Sequence, residues 1–395
     1  MNSPGNGKVL VTDADSRRSL AVVRSLGRRG LYVVAGHYRS SALAFSSKYC
    51  RERFTYPHPK KAPDAFLSNI LSRLRTGSYD CFLPMGDETM KIAARHQSAI
   101  AEFTRLTVPS TAAVEIALDK GNTIRFAEAH GFPCPRTFFI EELGTIGLLK
   151  SQIPYPAVIK PKSESGAEGV VFVDGPDDLL SLYLRVHRRF PFPLIQEAIP
   201  PASPKFGVQC LFNGQGRLRA AYVQRFLRQY PMKGGPGSCF ETVRRPDILD
   251  QGVRLLELLD WRGVAQVEFM EDIRDGRLKL LEINPRFWDS LQTIIQAGVD
   301  FPDLLYRIAV EGDAEPRLDY KSGEVCRSVL PGDILHLVGS GGRSLFDPSF
   351  RRMRGPHLGH SIWDKGDIRP IFGFVRVALE GLLRRETRDS IFHRL

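Results

Sequence analysis

The stretch Gly263–Ser290 limits what this chain can fold into more than any other. Val264 to Met270 and Leu278 to Asn284 have the length and apolar content of two short strands, and Asp275-Gly276 marks the turn between them. Alternate side chains of a strand share a face, so Glu282 and Asn284 point the same way. Whether Glu268 joins them depends on the register of the hairpin. A two-residue Asp275-Gly276 turn pairs Arg274 with Arg277 and sends Glu268 to the opposite face. A loop of roughly three residues, with Gly276 left-handed, pairs Ile273 with Arg277 and sets Glu268 opposite Glu282. In that second register two carboxylates and an amide oxygen converge, with Arg286 just beyond. Such a donor set suits Mg²⁺, which takes one or two carboxylates and completes its shell with phosphate oxygens and water. A merely solvated hairpin fits poorly, because Val267, Phe269, Leu281 and Ile283 ask for burial on the other face.

Glu268…Glu282-Ile-Asn284-Pro-Arg286 resembles the metal-binding signature of the ATP-grasp ligases, in particular the branch of carbamoyl-phosphate-synthase-like and D-aspartate-ligase-like carboxylate–amine ligases. The continuation Phe287-Trp288-Asp289-Ser290…Ala297-Gly298-Val299-Asp300-Phe301-Pro302 is similar as well. The resemblance runs from about Lys8 to Gly312. It implies an N-terminal Rossmann-like α/β domain (1–107) followed by an ATP-grasp fold of two α+β subdomains (108–312, lid about 135–195). Residues 313–395 are a C-terminal extension with no match and no assigned role.

The bulk properties fit this without deciding it. A chain of 395 residues holds more than one core. No apolar run spans a bilayer and the amino terminus lacks a signal-peptide core, so a cytoplasmic protein is expected. Six scattered cysteines without a Cys-x-x-Cys pair read as reduced packing residues. The formal net charge of +11 fits anionic ligands such as nucleotides. No aromatic-basic motif points to nucleic acid.

Taken in order, Lys8 to Ala14, Leu31 to Ala35, Phe54 to Tyr56 and Cys81 to Pro84 read as strands, with Ser16 capping a helix through Leu26 and another helix around Ala65 to Leu74. Strands alternating with helices imply a parallel sheet covered on both faces. No Gly-x-Gly-x-x-Gly follows the first strand, which argues against a dinucleotide site. Asp87, at a strand's carboxyl end, reads equally as a helix cap and as a substrate contact.

From the resemblance, Lys120 at a helix start and Lys160 at the end of Val-Ile-Lys-Pro are the two nucleotide lysines. Lys162 to Gly169, with Ser165, Gly166 and Gly169, is the phosphate lid, a glycine-bearing hairpin loop whose amides can wrap phosphate. Gln196, Glu197, Ala198 and Ile199 form the adenine hinge, where an edge strand's free backbone groups would meet the base. The acidic residue that often follows the hinge to hold ribose is missing from Pro200 to Lys205, so the sugar contact stays unassigned. Arg225 and Arg228, in an Arg-x-x-Arg-x-x-Pro pattern, suit a carboxylate or acyl phosphate, and neither is preferred. Cys239 has no histidine partner and reads as packing.

The function these parts imply is an ATP-dependent carboxylate–amine ligase working through an acyl phosphate. Its cofactors are ATP and Mg²⁺ (or Mn²⁺) held by Glu268, Glu282 and Asn284, with Arg286 and Arg225 or Arg228 on the oxyanion. The alternatives are bicarbonate activation and a non-catalytic nucleotide-binding regulator. The expected partners are a small-molecule acid and amine. The apolar, arginine-ended segment 371–385 reads first as a helix docked on the core, then as a dimer contact, then as a membrane-surface helix.

Overall fold

The computed structural model describes residues 7–164, 167–343, 348–351 and 354–383. Its first sheet is parallel throughout, with strands β1 (Lys8–Val11), β2 (Tyr32–His37), β3 (Cys50–Thr55) and β4 (Cys81–Leu83) in the order β3-β2-β1-β4. Side-chain alternation explains its apolar runs. Val9, Val11, Val33 and Ala35 enter one core with Leu20, Val23 and Leu26 of the helix Arg17–Arg28. Leu10, Val34 and Phe82 enter another with Phe66, Ile70 and Leu74 of the helix Pro63–Gly77. Both faces are covered, as a parallel sheet requires. Ser16 caps its helix by accepting the Ser19 N–H. The chain runs from β1 to β2 and β3 on one side, then crosses to β4 on the other. The carboxyl ends of β1 and β4 therefore flank a switch point, the usual place for a ligand in an open α/β sheet.

A small antiparallel sheet follows, with β5 (Thr137–Phe138), β6 (Ala157–Lys160), β7 (Val171–Val173) and β8 (Leu194–Glu197) in the order β5-β8-β6-β7. The third sheet has seven strands, β9 (Lys205–Phe212), β10 (Leu218–Gln229), β11 (Gly237–Val243), β12 (Gly263–Glu271), β13 (Leu278–Asn284), β14 (Val325–Arg327) and β15 (Leu358–His360). Their order is β13-β12-β9-β10-β11-β14-β15. On one face Phe206, Val208, Val267 and Phe269 pack against the helix Pro246–Leu258. On the other, Leu211, Tyr222 and Val264 share the first core with the N-terminal sheet, alongside Phe287 and Trp288.

The C-terminal residues are woven into this frame. β14 and β15 lengthen the third sheet, while the helix Arg369–Leu383 packs on the turn Leu43–Ser46 and puts Ile371 and Phe374 against the first core. The first of the three readings of this segment is thus the one seen, although Arg384 and Arg385 lie outside the described residues. Gly373 touches Ser46 so closely that a Cβ there would stand 2.2 Å from the Ser46 Oγ. No helix among the described residues is long and apolar enough to cross a membrane.

A buried ion pair fastens the segment. Arg24 Nε donates to Asp367 Oδ2 at 3.0 Å, and Arg24 Nη2 donates to the carbonyls of Ile362 and Asp367. Ser47 Oγ donates to the same carboxylate at 2.6 Å. Removing one partner of such a pair strands a charge away from water, which typically costs about 3–5 kcal/mol. Asp367→Ala should therefore lower the denaturant midpoint by a corresponding amount. An unchanged midpoint would show that the clamp contributes nothing.

Candidate active site

Glu268 and Glu282 face each other across the β12–β13 ladder, and Gln266 pairs with Asn284. The second register is the one adopted, but the route to it differs from the expected three-residue loop. Asp272 N–H bonds to the Arg277 carbonyl at 2.9 Å, which closes a four-residue loop, with Gly276 left-handed at φ +68°. That loop alone would set Glu268 against Leu281. A bulge at Leu281 shifts the register by one between Phe269↔Leu280 and Glu268↔Glu282 and restores the carboxylate pair. The bulge also corrects the expected burial of Leu281. Leu280 takes the core position, fully buried, and Leu281 joins the wall of a cleft of about 680 Å³.

Two lysines stand at these carboxylates, and a third shares the cleft with them. Lys120, first residue of the helix Lys120–Ala129 and held there by the Asp119 cap, places Nζ 3.4 Å from Glu282 Oε2. It also donates to the Glu164 carbonyl at 2.7 Å, which ties it to the loop after β6. Lys205, at the start of β9, meets Glu268 Oε2 at 2.6 Å. Lys160, at the end of β6, donates to the neutral Gln196 Oε1 at 2.7 Å. Burial, with help from the neighbouring Lys120, depresses its ammonium to about 8. Burial works against Glu282 ionising, yet Lys120 and Lys205 prevail and hold it below the usual carboxylate range. Burial and Glu282 push Glu268 upward, while Lys205 is raised against burial by Glu268 and Glu282. Those last two shifts pull the pair in opposite senses, Glu268 towards neutrality and Lys205 towards charge. At 2.6 Å the ion pair decides, and we take both groups as charged.

Asn284 shares the cleft but turns its oxygen elsewhere. Its Oδ1 accepts from Arg286 Nη2 at 3.1 Å, and its Nδ2 donates to Glu282 Oε1 at 3.2 Å. An amide oxygen has two acceptor sites, so the Arg286 bond leaves one for a cation. Two carboxylates plus an amide make a sparse donor set. No cluster of three or more His, Cys, Asp or Glu side chains suited to a metal occurs among the described residues. The set suits Mg²⁺ completed by phosphate oxygens rather than an all-protein cage.

Arg286 is buried and donates from Nε to Asp87 Oδ1 at 2.7 Å. Asp87 is not the helix cap. Gly86 is the N-cap of the helix Asp87–Arg95, its N–H received by Thr89 Oγ1, and the Asp87 carboxylate holds Arg286. Burial opposes that carboxylate's charge, but Arg286 and Arg18 keep it below its ordinary range.

The other anticipated residues fall less evenly. Gly169, at φ +72°, lies so near Phe190 and Pro161 that a Cβ would stand 2.5 Å and 2.7 Å from them, so glycine is required there. Ser165 and Gly166 lie outside the described residues. The hinge is not an edge strand, because β8 lies between β5 and β6. The Glu197 and Ala198 N–H groups bond to the carbonyls of Arg136 and Pro156, and the Glu197 carboxylate is held by Lys279 and Arg274. Gln196, Glu197, Ala198 and Ile199 all line the cleft. Of their backbone donors, the Ile199 N–H makes no hydrogen bond among the described residues. Arg225 is exposed, pairs with Glu241 at 2.6 Å and does not line the cleft. Leu227 is an extra residue in β10, and Arg228 beyond it lies in the cleft wall, buried against Asp333 at 3.2 Å. Cys239 is buried and its thiol is pushed up to about 12 by burial, as a packing residue should be.

Sequence reasoning passed over Lys205, noticed only as a residue that was not acidic, and Arg17, Arg18 and Asp289, which also line the cleft. A family model described as an ATP-grasp domain matches residues 117–290. The chain carries an ATP-grasp domain. Lys120, Lys160, Lys205, Glu268, Glu282, Asn284, Arg286 and Asp289 all lie inside it.

Among curated relatives, a 145-residue stretch is 27% identical to acetyl-CoA carboxylase 1 of Oryza sativa subsp. japonica, covering 34% of this chain and 6% of that protein. A 169-residue stretch is 25% identical to the mitochondrial acetyl-CoA carboxylase of Saccharomyces cerevisiae, covering 40% and 7%. The chain thus spans only a small part of these relatives' length. Biotin carboxylase from Campylobacter jejuni superposes with a TM-score of 0.67 at 14% identity, covering 80% of this chain and 74% of that one. L-amino acid ligase from Bacillus licheniformis gives 0.63 at 16%, covering 78% and 75%. N5-carboxyaminoimidazole synthetase from Staphylococcus aureus gives 0.65 at 13%, covering 90% and 93%. At these identities the likeness is one of fold: the ATP-grasp domain sits in a setting shared well beyond residues 117–290.

Proposed function

We propose that the chain is an ADP-forming ligase that activates a carboxylate with ATP as its acyl phosphate and passes it to an amine. One observation carries this: a single cleft gathers Lys120, Lys160 and Lys205 with the facing carboxylates Glu268 and Glu282, and Arg286 lies just beyond them. Three ammonium groups around two carboxylates are a match for a polyphosphate and its divalent cation. ATP would lie between the loop 161–170 and the β12–β13 hairpin, with the Ile199 N–H offered to the base. Glu268, Glu282 and Asn284 would hold Mg²⁺ or Mn²⁺, which when bound neutralises phosphate charge and fixes its orientation.

Binding of phosphate draws Lys120 and Lys205 from the carboxylates towards phosphate oxygens. The substrate carboxylate oxygen then forms a bond to the γ-phosphorus as the bond to the ADP oxygen breaks. The amine attacks the acyl carbon, and phosphate leaves with the carboxylate oxygen it received and the proton that the amine gives up. These residues position and neutralise, which is most of what phosphoryl transfer asks of a protein. Arg286, just beyond the two carboxylates in the cleft wall, would serve as the oxyanion donor.

A second reading comes from the names of the relatives. Acetyl-CoA carboxylase, biotin carboxylase and N5-carboxyaminoimidazole synthetase favour bicarbonate as the acid activated in the same cleft. ADP release from Mg-ATP, measured in CO₂-free buffer over a panel of acid–amine pairs and then with added bicarbonate, separates the two. Release that depends on an acid and an amine supports the ligase. Release that needs only bicarbonate supports the second reading, and none under any condition contradicts both.

Lys160 makes nucleotide binding sensitive to pH. With its ammonium depressed to about 8, it is charged below that pH and neutral above it. Affinity for ATP should be full on the acid side and fall as pH rises through about 8, because the phosphate contact needs the charge. Lys160→Arg, which stays protonated, should flatten that fall. Equal pH profiles in the two proteins would contradict the assignment.

A further inference from the structure

Arg17 and Arg18 open the helix Arg17–Arg28, immediately after β1 and at the switch point of the parallel sheet. Both line the end of the cleft beside Asp289. Arg18 is already committed: Nε donates to the Met85 carbonyl at 2.7 Å and Nη1 to Asp289 Oδ1 at 3.2 Å. Arg17 is not. Its side chain is only 17% exposed, yet its sole charged partner among the described residues is Asp289 at 3.6 Å, and it makes no hydrogen bond there. A guanidinium carries five donors in a fork made for a carboxylate, and this one presents them to the cleft. The N-terminal end of its helix adds a positive potential.

The neighbouring charges alternate. Arg17 and Arg18 share Asp289 of the wall, and Arg286 is held from behind by Asp87. Asp289 is held well below the ordinary carboxylate range by Arg18 and Arg17, against burial, and its side chain is 38% exposed. A plain anion entering here would meet Asp289 as well as the arginines. A zwitterion would find a partner for each end, its carboxylate on Arg17 and its ammonium on Asp289.

Resting on the ligase reading above, we propose that the amine substrate is an α-amino acid and that Arg17 binds its carboxylate, with Asp289 receiving the ammonium group before it reacts. The switch point thereby joins the parallel sheet to the ATP-grasp cleft as the amino-acid end of one site. Arg18, fixed to Met85 and Asp289, keeps Asp289 ionised and aimed.

The test is calorimetric, on the full chain saturated with MgADP, with glycine, L-alanine, L-aspartate, L-alaninamide and inorganic phosphate as probes. At least one amino acid should bind saturably, while L-alaninamide, which lacks the carboxylate, should bind at least tenfold more weakly. Arg17→Gln should weaken the amino acid by about tenfold to a hundredfold, the loss expected for a charged hydrogen-bonding partner. Arg17→Lys should recover part of it, and MgADP affinity should be the same in all three proteins. Equal amino-acid affinity in Arg17→Gln overturns the proposal. So does an amide that binds as well as the acid, phosphate that binds in preference to every amino acid, or no binding by any amino acid. Failure of MgADP itself to bind would instead sink the ligase reading, and the same titrations on nucleotide-free protein would still decide the role of Arg17.

Discussion

Glu282→Gln should leave the protein folded and remove nearly all magnesium-dependent turnover. The substitution keeps the shape of the side chain and an oxygen able to accept from Asn284 Nδ2, so the hairpin has no reason to open. What changes is charge. Glu282 is held ionised by Lys120 and Lys205, and it is the carboxylate that faces Glu268 across the ladder. A neutral amide is a poor ligand for Mg²⁺. Loss of groups that merely support a metal ligand costs ten- to a hundredfold, so loss of a ligand should cost at least about a hundredfold. The same change strips Lys160 of a favourable charge and should push its ammonium below about 8, weakening nucleotide binding near neutral pH. Activity within a fewfold of the parent at ordinary magnesium concentration would remove Glu282 from the metal site.

Arg286→Ala should slow amide formation by about a hundredfold or more, the usual cost of removing one oxyanion donor. It should also destabilise the protein, because Asp87, which is half-buried, would keep only Arg18 and Lys120 as compensating charges. Arg286→Lys separates the two effects. It restores a positive charge beside Asp87, and with it most of the stability. It lacks the planar fork that reaches Asp87 and Asn284 together, and the rate should stay low. A lysine variant with near-parental rate would show that Arg286 serves the structure and not the reaction.

The parallel sheet was legible because Leu10, Val34 and their neighbours are apolar on both faces, a pattern set by local alternation alone. The carboxylate pair was legible only as one of two registers. The choice between them rests on a four-residue loop and a bulge at Leu281, whose effects on register compensate. Neither is visible in side-chain period, since a bulge is an interruption of that period. Arg225 and Arg228 stand three positions apart, so alternation alone sends them to opposite faces without saying which face lines the cleft, and the extra residue at Leu227 interrupts that period.

The hinge was misjudged for another reason. β5 has only two residues, too few for a sequence pattern, yet it turns β8 from an edge into an interior strand. Lys205 and Glu268 are 63 positions apart, and Arg17 and Asp289 are 272 apart. These pairs form because separate elements pack together, and the residues near each in sequence carry no trace of the partner. Asp289 was quoted in the motif without a role for the same reason. The three-residue strands β14 and β15 gave no local signal that the C-terminal residues extend the large sheet.

The fate of one oxygen atom tests the central claim most directly. If a substrate carboxylate attacks the γ-phosphorus, one of its oxygens is carried onto phosphorus and leaves in inorganic phosphate when the amine attacks the acyl carbon. With the productive acid labelled with oxygen-18 in its carboxylate, mass spectrometry of the released phosphate should find one labelled oxygen per turnover. Unlabelled phosphate from a productive acid–amine pair would contradict the acyl phosphate, and with it the ligase.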